Sequence, residues 1–260
     1  MTAKATRLYP LPPREIRAEG IYEDLELPPT RLGDSPGSPR PYVIINMVAS
    51  LDGRVAVGGK SSLIGSEVDR RTMRNLRSKA DAVMIGAGTL RSERLSLGLD
   101  DSSRGQQPLA VVATGTGDVP LQSNLILGEG QEVLLLSPAG FSVTGGFSRC
   151  RDERMRRLGT SECEGPAGEV DLGEALQILK GERAVELLLV EGGPSLNHSL
   201  FSRGLADELF LTLAPKLMGG ATDETLTVLD GPPLAPGVGS VSLLSAHLFG
   251  GELYLRYRLR

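Results

Sequence analysis

The stretch LLLVEGGPSLNHSLF, residues 187–201, decides how this chain is read. A short apolar run ends on a carboxylate and two glycines, and a proline then opens a helix-compatible segment. A buried strand has that length and composition, and proline fits the first turn of a helix. The stretch is therefore a strand-to-helix turn of an α/β sheet. Its glycines serve a plain turn, or they let backbone amides approach a phosphate at the positive helix N-terminus.

The same grammar recurs outward from it. DAVMIGAGT (81–89) reads as a strand ending in glycines. YVIINMVASLDG (42–53), LAVVAT (109–114), EVLLLS (132–137) and DELFLTLAP (207–215) read as strands. Ser66 with Asp69 predicts an N-cap and a helix to about Ala80, and Asp171 with Glu174 predicts a helix to about Lys180. HLFGGELYLRYRLR (247–260) alternates on either side of Gly250-Gly251, as a hairpin does. Strands alternating with helices predict one α/β domain over 41–260, with a largely parallel sheet and a C-terminal antiparallel hairpin. Residues 1–40 carry seven prolines and read as an extended arm, with one ordered piece near Ile21–Leu27. Residues 138–170 are polar and glycine-rich and carry no assignable pattern.

Composition narrows the function. The 260 residues are 40% hydrophobic and 23% charged, with net charge −4, so a general nucleic-acid binder is not expected. Aromatics are 4% and Trp is absent, which weakens a base-stacking platform. Cys150 and Cys163 make neither a disulfide framework nor a zinc site, and a reducing compartment is expected. There is no apolar run long enough for a membrane span and no signal-peptide h-region, so a cytoplasmic location is expected. His198 and His247 lie far apart, against a His-ligated metal or a Ser-His-Asp triad; His198 is read as a packing or capping residue.

Two strands end in glycines, at Gly86-Ala87-Gly88-Thr89 and at Glu191-Gly192-Gly193-Pro194-Ser195. Ligands bind outside the carboxyl ends of parallel strands, and two such loops suit a pyrophosphate. Neither loop is a dinucleotide fingerprint: Arg91 stands where the third glycine belongs and Gln106 where the ribose-binding acid belongs. The first strand places Asn46, Ser50 and Asp52 at its end, with Gly58-Gly59 and Ser61-Ser62 soon after; local sequence alone reads there as an Asp-Gly turn. Arg70, Arg71, Arg74, Arg77 and Lys79 follow on one helix, and such a run is usually a solvated face. Arg77, nearest the second strand, is the one placed to reach a ligand.

Taken together, ASLDGRVA, DRRTMRNLRSKADAVMIGAGT and LLLVEGGPSLNHSLFSRGLADELFLTLAPKLMGG resemble the reductase domain of the riboflavin-pathway deaminase-reductases over residues 41–258. No deaminase signature of the H-x-E and P-C-x-x-C type occurs, so a stand-alone reductase is implied. The resemblance implies a dihydrofolate-reductase-like fold and NADPH-dependent reduction of a phosphoribosylaminopyrimidine to its ribitylamino product. It implies cofactor contacts at Val48, Ala49, Leu63, Gly86, Gly88, Thr89, Glu93, Gly192, Gly193, Pro194, Ser195 and Leu196. It implies substrate contacts at Ser61, Arg77, Leu97 and Glu191, with Glu191 and Asp52 as the catalytic candidates and no metal. It also implies a homodimer paired through its sheets. The chain departs from the pattern on the substrate side. Leu63 replaces a frequent Trp, Leu95 replaces a proline, and Asp100 stands where a basic residue helps bind the substrate phosphate. Arg91 and Arg94 are the cations nearest for a cofactor 2′-phosphate. Another reductase on the same fold, such as one acting on dihydrofolate, and a non-catalytic nucleotide-binding protein are the competing readings.

Overall fold

The strands and helices below come from a computed structural model, which describes residues 3–23, 25–28, 38–56, 58, 60–61, 63–93, 96–99, 107–120, 122–127, 130–138, 158–163, 169–220, 226–234 and 239–259. In chain order the strands and helices are β1 (Lys4–Tyr9), β2 (Arg14–Arg17), β3 (Tyr42–Ser50), α1 (Glu67–Arg77), β4 (Ala82–Gly86), α2 (Ala87–Ser92), β5 (Leu109–Ala113), α3 (Asn124–Leu127), β6 (Val133–Pro138), β7 (Leu158–Cys163), α4 (Leu172–Arg183), β8 (Leu187–Val190), α5 (Pro194–Ser202), β9 (Glu208–Ala214), β10 (Ser242–Phe249) and β11 (Glu252–Arg258). They fall into two units. The first comprises 1–27, 43–76 and 190–260, the second 28–42 and 77–189.

In the second unit the strand order is β8-β4-β5-β6-β7. The β4–β5, β5–β6 and β6–β7 ladders are all parallel. Two of these strands are continuous apolar runs: β4 carries AVMI and β8 carries LLLV with every one of those side chains buried. Strands covered on both faces need no polar alternation. β7 lies in the segment that sequence could not assign. α4 is capped as expected, with Asp171 Oδ1 accepting from the Gly173 and Glu174 amides, and it runs on to Arg183.

In the first unit the order is β2-β1-β10-β11-β9-β3. β3 and β9 are parallel, whereas β9–β11, β11–β10, β10–β1 and β1–β2 are antiparallel. The expected C-terminal hairpin is present, with Gly250 and Gly251 at φ +57° and +86° in its turn. The extended-arm reading of 1–40 needs correction. Lys4–Tyr9 and Arg14–Arg17 form a second hairpin whose outer turn holds Pro10, Pro12 and Pro13. Prolines mark that turn rather than a structureless stretch, and the strands beside them are too short to show a clear period. Ile21 and Tyr22 are buried, and the Tyr22 ring meets Phe210 and His247 edge-on at 5.0 and 5.5 Å. β9 alternates, turning Glu208, Phe210 and Thr212 inward and Leu209, Leu211 and Leu213 to the half-exposed face. Arg256 makes two hydrogen bonds to the buried Glu208 carboxylate, at 2.6 and 2.8 Å.

α1 starts where its cap predicts. Ser66 Oγ accepts from the Val68 and Asp69 amides at 3.2 and 3.3 Å. Arg70 and Arg74 pair with Glu67, and Arg71 pairs with Glu19, so that part of the cationic run is a surface lattice. On the inner side Asp69 accepts a hydrogen bond from Thr212. Burial, reinforced by the nearby Glu252, pushes the Asp69 carboxyl up to about 6.

Folded Asp69 thus keeps a proton that the unfolded chain releases near its ordinary value of 3.8. That raised value adds stability below about pH 4 and loses it as pH rises towards 6. Asp69→Asn removes the titration, so the variant should gain stability relative to wild type between pH 4 and 7. Paired thermal melts across that range check it, and a constant difference refutes it.

Candidate active site

In the first unit β3 and β9 run parallel and end together, Ser50 opposite Ala214. The turn after β3 is closed by Gly53 N–H donating to the Ser50 carbonyl, with Gly53 at φ +78°. Asp52 is exposed, and its carboxylate is fully engaged. It accepts from Ser50 Oγ at 2.6 Å, from the Met218 amide at 3.1 Å and from the Gly219 amide at 2.7 Å. The Ser50 hydroxyl, then the Gly219 amide, hold its carboxyl down at about 2. Asp52 therefore clasps the turn after β3 to the loop after β9. Its donors are the Ser50 hydroxyl at the end of β3 and two amides of the loop after β9, a backbone-clasping role that stands beside the catalytic one expected.

β8 delivers Glu191, which is half-buried, and then Gly192 and Gly193, joined by a cis peptide bond. Gly192 sits at φ +85°, a conformation that strains any side chain, and a Cβ there would come within 3.2 Å of the flexible Met47 Sδ, so it is the backbone that favours glycine. Gly193 is the N-cap of α5 and Pro194 its first residue. The amides of Ser195 and Leu196 have no carbonyl four residues back within the helix. Asn197 is fully buried; its amide donates to the Gly193 carbonyl and Nδ2 to the Val228 carbonyl, while Oδ1 has no protein partner. His198 behaves as the sequence predicts: Nε2 donates to the Pro232 carbonyl, and a Cβ at Gly231 would collide with the ring. Val48 is half-buried, Ala49 is fully buried, Ser61 is half-buried, and Leu63 is 65% exposed.

In the second unit Gly86 ends β4 and α2 begins at once, so Gly88 and Thr89 are helical rather than part of a loop. Gly88 has ordinary dihedrals, and a Cβ there would meet only Arg91 Nη2 at 3.8 Å, so neither space nor backbone demands glycine. The Thr89 carbonyl accepts from the amide of Glu93, itself half-buried. Arg91 donates to the Asp118 carbonyl at 2.6 Å. Arg77 is 5% exposed, and Nη1 donates to the Ser96 and Gly98 carbonyls at 2.9 and 3.4 Å. Leu97, between them, is fully buried. Arg77 thus leaves the solvated lattice of its helix to hold the 96–98 backbone, and Leu97 serves the core. Gln107, which sequence reasoning missed, closes the same segment by pairing with both the amide and the carbonyl of Leu99. Gly59, Ser62, Arg94, Leu95, Asp100 and Cys150 lie outside the described residues.

The lowered Asp52 value has a definite sign. Its clasp is fully present above the unfolded value of 3.8 and is lost as pH falls towards 2. Asp52→Asn should be less stable than wild type at neutral pH, by an amount steady down to about pH 4 and vanishing towards pH 2. Denaturation curves over pH 2–7 check this, and a deficit that persists at pH 2 overturns it.

Comparison with known proteins agrees with this arrangement. The family described as RibD C-terminal domain matches residues 41–238. The 2,5-diamino-6-ribosylamino-4(3H)-pyrimidinone 5′-phosphate reductase of Methanothermobacter thermautotrophicus is 30% identical over 223 residues, which is 85% of this chain and 99% of that protein. The Archaeoglobus fulgidus protein of the same name is 30% identical over 74% of this chain and 87% of its own length. Among solved structures, Acinetobacter baumannii RibD superposes with a TM-score of 0.69 at 21% identity, covering 86% of this chain and 59% of that one. A pyrimidine reductase-like protein of Corynebacterium diphtheriae gives 0.68 at 20% identity, covering 94% and 99%. The α/β fold is the dihydrofolate-reductase-like one expected, and the chain belongs to the RibD C-terminal domain family.

Proposed function

We propose that this chain is a reductase of riboflavin biosynthesis. Its substrate would be 2,5-diamino-6-ribosylamino-4(3H)-pyrimidinone 5′-phosphate or the deaminated uracil counterpart, reduced with NADPH to the ribitylamino product. The observation that carries the reading is the match along 99% of a reductase of that name, in a chain that keeps the Gly192-Gly193 turn before α5.

The residues fit a dinucleotide. Gly192 takes a positive φ that favours glycine, and the first turn of α5 offers amides without partners inside the helix at its positive end, so Gly192–Leu196 would hold the pyrophosphate. Val48, Ala49 and Leu63 are the further cofactor contacts of the first unit in this reading; for the second unit by itself a cofactor-binding role is proposed for Gly86, Gly88, Thr89 and Glu93. NADPH, when bound, supplies the hydride. The chain needs no nucleophile for that chemistry; it has to hold two rings in near-attack geometry. The sugar C1′, in its open, imine-like form, would accept the hydride while the imine nitrogen takes up a proton from water. Glu191 would orient hydroxyls and stabilise the positive charge that develops there. Ser61 would contact substrate directly, and Arg77 with Leu97 would act by fixing the 96–98 backbone.

Loss of NADPH absorbance on adding the pyrimidine phosphate to purified protein tests the reading, with dihydrofolate as the contrasting substrate. Turnover of the pyrimidine alone is expected, with NADPH bound more tightly than NADH; no turnover overturns it. Glu191→Gln should lower kcat/KM by about 10²-fold, comparable to losing one preorganised electrostatic group. NADPH affinity should change less than about threefold, under ~1 kcal/mol. Loss of cofactor binding instead would move Glu191 to the cofactor side.

The reading also includes a homodimer. Leu209, Leu211 and Leu213 of β9 pair in register with Tyr257, Leu255 and Leu253 of β11, and Leu253 pairs with Leu248 of β10. This leucine-rich face of the first unit is half-exposed, with Leu248 at 37%. A second copy covers it with the same residues, as a two-fold interface requires, burying roughly 2,000 Å² or more. Light scattering should give twice the chain mass at micromolar concentration, and Leu211→Glu should give the monomer. A monomeric wild type removes the claim.

A further inference from the structure

Within the motif LAPKLMGG, residues 213–220, the side chain of Lys216 has no task in the reading above. That lysine is a hub. The Lys216 carbonyl accepts from the Leu51 amide at 2.9 Å, on the turn after β3. Its Nζ reaches the other way and donates to the carbonyls of Leu63 and Ile64 at 2.8 and 2.7 Å. An ammonium at the surface ordinarily stays in water; this one spends two donors on a single turn. That turn is closed by the Ile64 amide donating to the Ser61 carbonyl, and Ile64 itself is fully buried. Lys216 therefore fixes both the position of Ser61 and the direction in which Leu63 leaves the turn.

A second observation concerns what the three tied segments display. Leu51, Leu63 and Leu217 are 59%, 65% and 79% exposed, one on each segment joined at Lys216. These three exposed leucines sit on backbone segments that the Lys216 hydrogen bonds hold together. They lie beyond the carboxyl ends of the parallel pair β3 and β9, the end at which α/β sheets bind ligands.

We propose that Lys216 is a positioning residue for the reaction. It does not touch the reacting atoms; it holds the 61–64 turn so that Ser61 and Leu63 meet the bound ligands. The proposal rests on the reductase reading. The test is steady-state kinetics of Lys216→Met and Lys216→Arg, with thermal midpoints alongside. Lys216→Met should raise KM for NADPH and for the pyrimidine phosphate about tenfold, ~1.4 kcal/mol each. Its kcat should stay within about threefold, because binding rather than the chemical step is lost. Its thermal midpoint should lie close to wild type, and Lys216→Arg, which keeps donors, should restore KM. Unchanged KM overturns the proposal, as does a fall in midpoint and kcat at unchanged KM, which is a structural role only. If Lys216→Met does not fold, Lys216→Gln with one remaining donor carries the same comparison. A wild type without turnover sinks the reductase reading; an active wild type with an unaffected variant sinks this inference alone.

Discussion

The first unit depends on the carboxylate of Glu252. It is 4% exposed, and a charge so placed is costly unless its oxygens are met by donors. Three donors meet it: the Ser66 amide at 2.8 Å, the Ser66 hydroxyl at 2.6 Å, and the Tyr254 hydroxyl. Removing Glu252 would orphan all three, which is why such a group is hard to give up once the fold has closed around it. The consequence for the site is positional. Ser66 caps α1, so Glu252 fixes where that helix starts against β11. The segment 61–66 is then held at one end by Glu252 and in its middle by Lys216. Ser61 and Leu63, the only side chains of that segment given a ligand role, sit on a stretch anchored by two charged groups distant in the chain, Glu252 on β11 and Lys216 in the loop after β9.

Asp52 and Asp69 show how one residue type is turned to opposite ends. Asp52 is exposed, and hydrogen bonds to its charged form outweigh the small cost of desolvation, so its proton affinity falls. Asp69 has lost most of its water, receives one hydrogen bond from Thr212, and faces Glu252, so its proton affinity rises. Asp52 therefore ties loops together at neutral pH with its charge intact. Asp69 opposes the same fold as it ionises. The raised value belongs to the buried network around Glu252 rather than to the ligand end of β3, so a perturbed carboxyl alone would have misdirected a search for chemistry.

Much of this was legible from residues. LLLV and AVMIG could only be buried parallel strands, and Ser66 and Asp171 announce their helices. The glycine at 192 was legible as part of a strand-to-helix turn, and the structure adds the positive φ that favours it there. Gly86 and Gly88 looked equivalent in sequence and are not. What stayed hidden depends on partners remote in the chain. Asp52 meets amides 166 and 167 residues away, and Lys216 meets carbonyls 153 and 152 residues away. Arg77 looked like one more member of a solvated row; its burial against Ser96 and Gly98 follows from where that segment folds, which no local pattern records. The N-terminal hairpin was missed because its strands are short and its prolines drew the eye to irregularity.

The division of labour around α5 explains how such a site tolerates divergence. At 30% identity most side chains differ between this chain and the Methanothermobacter reductase. A phosphate cradle built from backbone amides asks little of side chains: a glycine where φ is positive, a proline at the first helical position, and neighbours that keep clear. In the proposed function that role falls to Gly192 and Pro194. The buried Asn197 and the Pro232-bound His198 then lock the helix to the loop beside it through carbonyls, which any residue can supply. Substrate recognition is the opposite case. It needs particular charges and shapes, and the expected departures at Leu95 and Asp100 lie outside the described residues. Cofactor use is accordingly the part of the function that the fold itself carries, whereas the choice of substrate lies in the side chains mounted on it.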